Sequence, residues 1–288
     1  MTYQILGDVH THTVASRHAY STIAENVAAA KRAGLTFLGS ADHFGVMVYE
    51  EPSFINFQNF INMRIWPREW DGVTVLRACE VDIVGLDGEL FGQSIPCPTN
   101  IVGRPFREEK SLFERVTDGL DYAVASIHNG DFALDAPLSQ TTEMYVKALE
   151  NPKVLAIGHP GRSGIPFDVD EVLTCAKERH KLIEINEHTF ASDPHGNLHD
   201  RCATIAERAA ELGVGIEVST DAHICTDVGR FPRAQAMLDE IHFPQELIAN
   251  RSLEAFVDAL AASDVCDLTF LLSGGDATAA NESLENER

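Results

Sequence analysis

The chain lacks the features of membrane-bound and secreted proteins. None of its apolar stretches approaches the roughly 20 residues that a transmembrane helix needs. The first residues, MTYQILGDVH, also lack the basic start and the small-residue cleavage site of a signal peptide. We therefore expect a cytoplasmic protein with no membrane partner.

The sequence has no C-x-x-C pair, although it contains six scattered cysteines: Cys79, Cys97, Cys175, Cys202, Cys225 and Cys266. Paired cysteines at short spacing are typical of structural zinc sites and redox motifs, and dense cysteines are typical of small secreted domains. The observed spacing favours reduced thiols buried in a core.

Basic residues are scarce. The chain has 22 Lys and Arg against 44 Asp and Glu, which gives a formal net charge of −22. Because recognition of the nucleic-acid backbone relies on Lys and Arg, we expect no nucleic-acid partner. Part of the acidity lies in residues 273–288, whose composition predicts a disordered tail. Residues 1–272 are then expected to form a single domain.

Short β-rich runs alternate with helical patterns along residues 1–272. The seven runs are QILGDVH, LTFLGSADH, VTVLRACEVDIV, YAVASIH, VLAIGHP, LIEINEH and GIEVSTDAH. The first helical pattern has Ser21 or Thr22 as its N-cap and Gly34 as its end. Repeated strand–helix units predict an α/β fold with a parallel sheet, and seven of them favour one barrel over two domains.

Two segments interrupt this alternation. The aromatic segment SFINFQNFINMRIWPREW predicts a helix inserted between the second and third strands. The segment 91–110 is rich in proline and glycine and predicts a long loop, for which the sequence suggests no function.

Histidines and acids stand at or just after the ends of these strands, and Glu80 stands inside the otherwise apolar third strand. They are His10, His12, His18, His43, Glu80, His128, His159, Asp221 and His223. The carboxyl ends of parallel barrel strands meet at one face, so these residues should converge there. Imidazole and carboxylate together suit Zn²⁺, with Mn²⁺ or Fe²⁺ as alternatives, better than Mg²⁺ or Ca²⁺. The set is too large for one tetrahedral site and predicts two or three ions, with Glu80 as a bridge.

The motifs D-V-H-T-H, A-D-H, the isolated Glu80, S-I-H, G-H-P-G and S-T-D-A-H occur in this order. Together they resemble the PHP (polymerase and histidinol phosphatase) family. The segments T-V-A-S-R-H-A-Y-S-T and F-I-N-M-R-I-W-P-R are similar to its YcdX-type phosphatase branch. The resemblance implies a distorted (β/α)7 barrel (TIM-like) with a trinuclear metal site.

The resemblance also implies how the ligands divide among the three ions. The first ion would take His10, His12, Glu80 and Asp221, the second His18, His43 and His223, and the third Glu80, His128 and His159. The long loop from Cys97 to Lys110, the sequence His43-Phe44-Gly45 and Arg162 depart from the pattern expected of the branch. These departures leave the substrate open.

The function that these residues suggest is a metal-dependent phosphatase acting on a small phosphorylated metabolite. A hydroxide bridging two metals, held by Glu80 and Asp221, would attack phosphorus in line. Arg17, Arg64 and Arg162 are candidates for binding the substrate phosphate, because guanidinium binds phosphate through two parallel hydrogen bonds. Arg64 could instead be a surface or packing arginine.

Asp8 and Asp42 adjoin ligand motifs. Each could orient a metal-binding histidine by accepting a hydrogen bond from its second ring nitrogen, or could make an ordinary hydrogen bond at a strand end. Three other functions stay open from the sequence: a metal-dependent amidohydrolase, a DNA-processing PHP nuclease, and a metal-binding regulator without catalysis. The sequence does not predict the oligomeric state.

Overall fold

One sheet of eight strands organises the chain. The computed structural model describes residues 3–193 and 196–273. The predicted tail therefore lies outside the described residues, except for Ser273. The strands in the described part are β1 (Gly7–Thr11), β2 (Phe37–Phe44), β3 (Glu69–Trp70), β4 (Val73–Asp82), β5 (Tyr122–Ser126), β6 (Val154–Ile157), β7 (Leu182–Asn186) and β8 (Ile216–Ser219).

Seven of these strands run parallel in the order β1-β2-β4-β5-β6-β7-β8, and the two-residue β3 pairs antiparallel with β4. The sheet curls until the chain after β8 meets β1. There, the amide of His12 donates to the carbonyl of Ala222 at 2.9 Å, and the amide of Asp221 donates to the carbonyl of His10 at 2.9 Å. The result is a nearly closed parallel barrel, which confirms the predicted distorted (β/α)7 architecture.

A buried asparagine completes the closure where the backbone pairing is sparse. The Asn250 side chain donates to the carbonyl of Gly7 at 2.7 Å and to that of Val218 at 2.6 Å. Its Oδ1 accepts the amide of Val218 at 3.0 Å. One side chain thus satisfies backbone groups of both β1 and β8, which would otherwise be buried without partners.

Helices follow most of the strands. In the described part of the chain they are α1 (Ile23–Ala33), α2 (Gln58–Ile61), α3 (Leu112–Thr117), α4 (Leu138–Glu150), α5 (Val169–Glu178), α6 (Asn197–Leu212), α7 (Pro232–Glu240) and α8 (Leu253–Ala262). The start of α1 is a capping box in which Thr22 and Glu25 satisfy each other's amides. Its end is Gly34, in the left-handed region at φ 80°. Of the two predicted N-caps, Thr22 is the one used.

The aromatic insertion is less helical than predicted. It forms only the single turn of α2 and a 3-10 turn, Asn62–Ile65, before the chain becomes extended at Trp66. The residue before a proline is driven out of the helical region by the proline ring, and Pro67 follows Trp66. The 91–110 segment is a loop as predicted, and it is held by the amide of Cys97 donating to Lys110 at 3.0 Å.

The amino end of the barrel is filled by side chains. Phe37 and Tyr122, the first residues of β2 and β5, pack against Phe256 of α8 with ring centroids 5.6 Å and 5.5 Å apart. Tyr122 also donates its hydroxyl to the carbonyl of Val9 at 2.6 Å. Only glycine fits at position 39, because a Cβ there would lie 2.0 Å from the Tyr122 hydroxyl. The packed end leaves the carboxyl end of the barrel for a functional site.

The six cysteines are free thiols: four are buried and two, Cys225 and Cys266, are half-buried. This agrees with the prediction of reduced thiols. Within residues 3–193 and 196–273, no helix is both long and apolar enough to cross a bilayer.

Candidate metal centre

The nine predicted ligands lie together at the carboxyl end of the barrel. Successive contacts link them: His10 Nε2 is 3.2 Å from His12 Nε2, and His12 Nε2 is 2.9 Å from Asp221 Oδ1. His18 Nε2 and His223 Nε2 are 2.9 Å apart. The other members, His43, His128 and His159, all contact Glu80. Residues separated by more than 200 positions therefore share one site because the strands that carry them are parallel.

Glu80 is the centre of this cluster, and its two oxygens face different histidines. Oε2 lies 2.7 Å from His43 Nδ1 and 3.4 Å from His10 Nε2. Oε1 lies 2.8 Å from His159 Nε2 and 3.3 Å from His128 Nε2. A carboxylate with ligand atoms on both sides has the geometry of a bridge between two ions.

Three groups of ligand atoms in the described structure lie close enough to share an ion. The first, His10, His12, Glu80 and Asp221, has the same members as the first predicted set. The second combines His12, His43 and His223, and the third combines His43, Glu80 and His128. In the second group His12 stands where the resemblance assigns His18, and in the third His43 stands where it assigns His159.

The donor atoms fit a divalent metal better than they fit each other. Glu80 Oε2, Asp221 Oδ1 and both ring nitrogens of His43 are buried, and although polar atoms lie close to them, none of them makes a well-aligned hydrogen bond. Leaving a buried polar group unpaired costs about 1–3 kcal/mol. Two nitrogens on one tetrahedral zinc, at about 2.05 Å each, would be about 3.3 Å apart. The 3.2 Å between His10 Nε2 and His12 Nε2 is close to that value.

The electrostatics hold both carboxylates of the cluster ionised. Burial opposes ionisation of Glu80, but the charges of His128, His10 and His43 outweigh it and bring its pKa well below the ordinary value. The pKa of Asp221 is likewise far below normal, because the close contact with His12 Nε2 and the charge of His10 overcome burial. Ionised carboxylates are the form that binds a metal.

The imidazoles divide into two kinds. Burial lowers the pKa of His12 far below its usual value and also lowers that of His159. Burial opposes protonation of His128 as well, but the charge of Glu80 and the hydrogen bond to Asp82 raise its pKa to about 10. A metal binds the neutral form of imidazole, so metal binding at a histidine with a raised pKa, such as His128, would release a proton.

Two of the predicted ligand residues have strained backbones. His159 has φ 30° and Asp221 has φ 54°, in the left-handed region that non-glycine residues seldom adopt. Such conformations cost roughly 1–3 kcal/mol each and concentrate at functional sites. The surrounding contacts must therefore hold both residues in place.

Three groups that the sequence reasoning missed contact the second ring nitrogens of predicted ligand histidines. Glu184 Oε1 is 2.7 Å from His10 Nδ1, and Asp82 Oδ1 is 2.6 Å from His128 Nδ1. The Ser16 hydroxyl is 3.0 Å from His12 Nδ1. A carboxylate on the far nitrogen fixes the tautomer and the orientation of a ligand imidazole. The sequence does contain a signal for Glu184. It is an acid within an apolar strand, the same feature that identified Glu80.

Asp42 and Asp8 do not touch a ligand imidazole. Asp42 accepts the Ser16 hydroxyl at 2.6 Å, so it reaches His12 only through Ser16. Asp8 accepts the amide and the hydroxyl of Thr220, at 3.1 Å and 2.5 Å. Burial raises the pKa of Asp8 to about 6, although these hydrogen bonds oppose the shift.

The three arginines occupy different places. Arg162 Nη2 is 2.8 Å from Asp221 Oδ2, at the cluster itself. Arg17 is exposed at the rim beside His18, with its guanidinium 4.9 Å from the centre of the Tyr49 ring.

Arg64 lies elsewhere: it pairs with Asp118 at 3.0 Å, just before the start of β5. His128 follows the other end of that strand, six residues beyond Tyr122 or roughly 20 Å along an extended chain. The structure thus brings Arg162 and Arg17 to the site but does not bring Arg64 there.

The family model named PHP domain matches residues 8–221, which include every predicted ligand described above except His223. The chain belongs to the PHP family. Two of its relatives illustrate matches over most of its length. A probable phosphatase of Caldanaerobacter subterraneus subsp. tengcongensis is 36% identical over 254 residues, 88% of this chain and 90% of the relative. A probable phosphatase of Clostridium acetobutylicum is 35% identical over 256 residues, 88% and 94% of the two chains.

A solved structure has the same fold. It is the histidinol phosphate phosphatase of Lactococcus lactis subsp. lactis Il1403, determined in complex with zinc, L-histidinol and phosphate. The match has a TM-score of 0.50 and covers 83% of this PHP chain and 92% of that chain, at 14% sequence identity. At this identity the likeness concerns the fold.

Proposed function

We propose that this PHP-family protein is a metal-dependent phosphatase that hydrolyses a small phosphorylated metabolite. The observation that carries the proposal is the Glu80 carboxylate, which has a histidine nitrogen within 2.8 Å of each of its two oxygens. Centres with several ions are typical of enzymes that hydrolyse phosphate esters. The relatives named as probable phosphatases, and the neighbouring structure with zinc and phosphate, support the same function.

The ligand sets support up to three ions, with zinc as the ion that mixed imidazole and carboxylate favour. His10, His12, Glu80 and Asp221 would hold the first, His43 and His223 with His18 the second, and Glu80, His128 and His159 the third. Bound divalent ions supply the positive charge that ionises water near neutral pH and offsets charge on a phosphoryl group.

The residues of the chain supply orientation and local positive charge. Glu80 and Asp221, both buried and ionised, fix the ligand groups relative to one another. Arg162 is about a quarter exposed and reaches Asp221, so its remaining guanidinium donors can face a substrate phosphate. Arg17 lies at the rim, where it can bind a phosphate oxygen as the substrate enters.

The test begins with metal analysis of the purified protein. Phosphate release is then measured after chelation and after reloading with Zn²⁺ or Mn²⁺, over a panel of sugar phosphates, nucleotides and p-nitrophenyl phosphate. We expect release that depends on metal, and a loss of at least about 100-fold in kcat for Glu80→Gln. Glu207→Gln, an exposed change on α6, serves as the matched control.

Two results would overturn the proposal. One is the absence of phosphate release with either metal supplied. The other is hydrolysis of amides or lactones, or of DNA, in the same preparation without release from any small phosphate ester. Hydrolysis of amides or lactones would indicate an amidohydrolase, and hydrolysis of DNA would indicate a nuclease.

A further inference from the structure

We propose that Glu184 is a positioning residue that fixes His10 and His159, ligands assigned to two different ions. The inference rests on the proposed metal centre. Glu184 is in β7, is 2% exposed and binds no ion in the proposed scheme. Its carboxylate instead contacts the ligand shell from the interior of the barrel.

The contact with His10 determines which ring nitrogen faces the metal. Glu184 Oε1 lies 2.7 Å from His10 Nδ1. An ionised carboxylate can only accept a hydrogen bond, so Nδ1 must carry the proton. Nε2 is then directed at the cluster, where it lies 3.4 Å from Glu80 Oε2. The carboxylate therefore selects the tautomer that a metal requires.

The contact with His159 acts on the backbone. Glu184 Oε2 accepts the His159 amide at 2.5 Å. His159 has φ 30°, a conformation that is costly without a stabilising contact. In that conformation its Nε2 lies 2.8 Å from Glu80 Oε1. The same carboxylate thus holds one ligand by its ring and another by its main chain.

The remaining contacts fix the carboxylate itself. The Asn186 amide donates to Oε1 at 3.1 Å, and the Ser219 hydroxyl donates to the same oxygen. Together with His10 and His159, these groups give Glu184 four donors. A carboxylate surrounded by four donors acts only as an acceptor. A glutamine could not accept all four hydrogen bonds, because its amide nitrogen is only a donor.

The chain offers a matched control in the adjacent strand. Glu217 pairs directly opposite Glu184 in the β7–β8 register. It is 1% exposed, and neither of its carboxylate oxygens has a hydrogen-bond partner. The two acids therefore share the same burial and the same neighbourhood, and only Glu184 contacts metal ligands.

The experiment measures metal binding rather than activity. Zinc stoichiometry and affinity are determined by chelator competition for wild type, Glu184→Gln and Glu217→Gln, and the Co²⁺-loaded proteins are compared by absorption. Thermal unfolding of each metal-free protein gives its stability. We expect E184Q to lose about 10- to 100-fold in affinity for the ions held by His10 and His159. The ion held by His43 and His223 should stay, and E217Q should bind like wild type.

Wild-type zinc affinity in folded E184Q overturns the proposal, and so does an equal loss in E217Q. If metal-free E184Q does not fold, Glu184→Asp is measured in its place, since it keeps the charge but withdraws the oxygens by one carbon–carbon bond. Wild-type affinity in E184D then refutes the positioning role. If wild type binds zinc but releases no phosphate, the proposed function fails while the inference about Glu184 is still tested.

Discussion

Replacing Glu217 by Gln should stabilise the metal-free protein by an amount that grows with pH. Glu217 lies in β8, inside the barrel, with both oxygens unpaired. Burial, and after it the charge of Glu184, raises its pKa in the folded state well above the ordinary value. In the unfolded chain the group titrates near its usual pKa of about 4.3.

The sign follows from proton binding. Above about pH 4.3 the unfolded chain loses this proton, whereas the folded protein keeps it until the pH reaches the raised pKa of the folded state. Each pH unit in that window therefore costs wild type about 1.4 kcal/mol of unfolding free energy. Between pH 5 and pH 7 the loss in unfolding free energy of wild type adds up to at most about 2.7 kcal/mol, which corresponds to about 5 °C in Tm for a chain of this size. The Gln side chain does not titrate, so E217Q has no such loss of unfolding free energy as the pH rises.

The assay is thermal unfolding of chelated wild type and E217Q at pH 5, 6 and 7 in matched ionic strength. The difference in Tm between the two proteins should widen by several degrees from pH 5 to pH 7. Glu207→Gln, which changes an exposed carboxylate on α6, should show no such trend. A constant difference between E217Q and wild type across this range would mean that Glu217 ionises normally inside the barrel, and the reasoning would be wrong.

Three further predictions concern closure, packing and substrate binding. Asn250→Ala removes the side chain that joins β1 to β8 and should lower the free energy of urea unfolding by at least about 2 kcal/mol. One ordinary hydrogen bond contributes about 1 kcal/mol, so a loss below about 0.5 kcal/mol would contradict this role. Gly39→Ala places a Cβ 2.0 Å from the Tyr122 hydroxyl and 2.7 Å from the carbonyl of Val9. It should lower Tm strongly, and a wild-type Tm would refute the close packing. Arg162→Ala should raise KM for phosphate esters about 10- to 100-fold, the value of a charged hydrogen bond, while Arg64→Ala should leave KM unchanged. Equal effects of the two arginines would argue against the assignment.

The strands and the first helix could be predicted from local signals. Apolar runs and caps such as Thr22 and Gly34 act within a few residues, so their effect is visible in the sequence. The aromatic insertion is less helical than predicted, and Pro67 accounts only for its extended end at Trp66. The strand β3 is only two residues long, and a strand of that length leaves no periodicity in the sequence.

The positions of the acids around the site were harder to predict. Asp8 precedes His10 by two residues, so simple alternation would place both on one face. The pairing of β1 with β2 shifts register between Asp8 and Thr11, and Asp8 binds Thr220 instead. Glu184 reaches His10 across the barrel, over 174 positions of sequence. No local pattern encodes either contact.

The sequence alone determined the kinds of candidate ligand and their order along the strands, because residue type and strand position are local properties. Parallel topology then made convergence at one face a necessary consequence. Only the tertiary structure decided which atoms meet: the bridging geometry of Glu80, the partner of each second ring nitrogen, and the distance of Arg64 from the site. These contacts depend on strand register, barrel closure and side-chain direction, and a shift of a few ångströms would break them. The sequence specifies such details only through the packing of the whole chain.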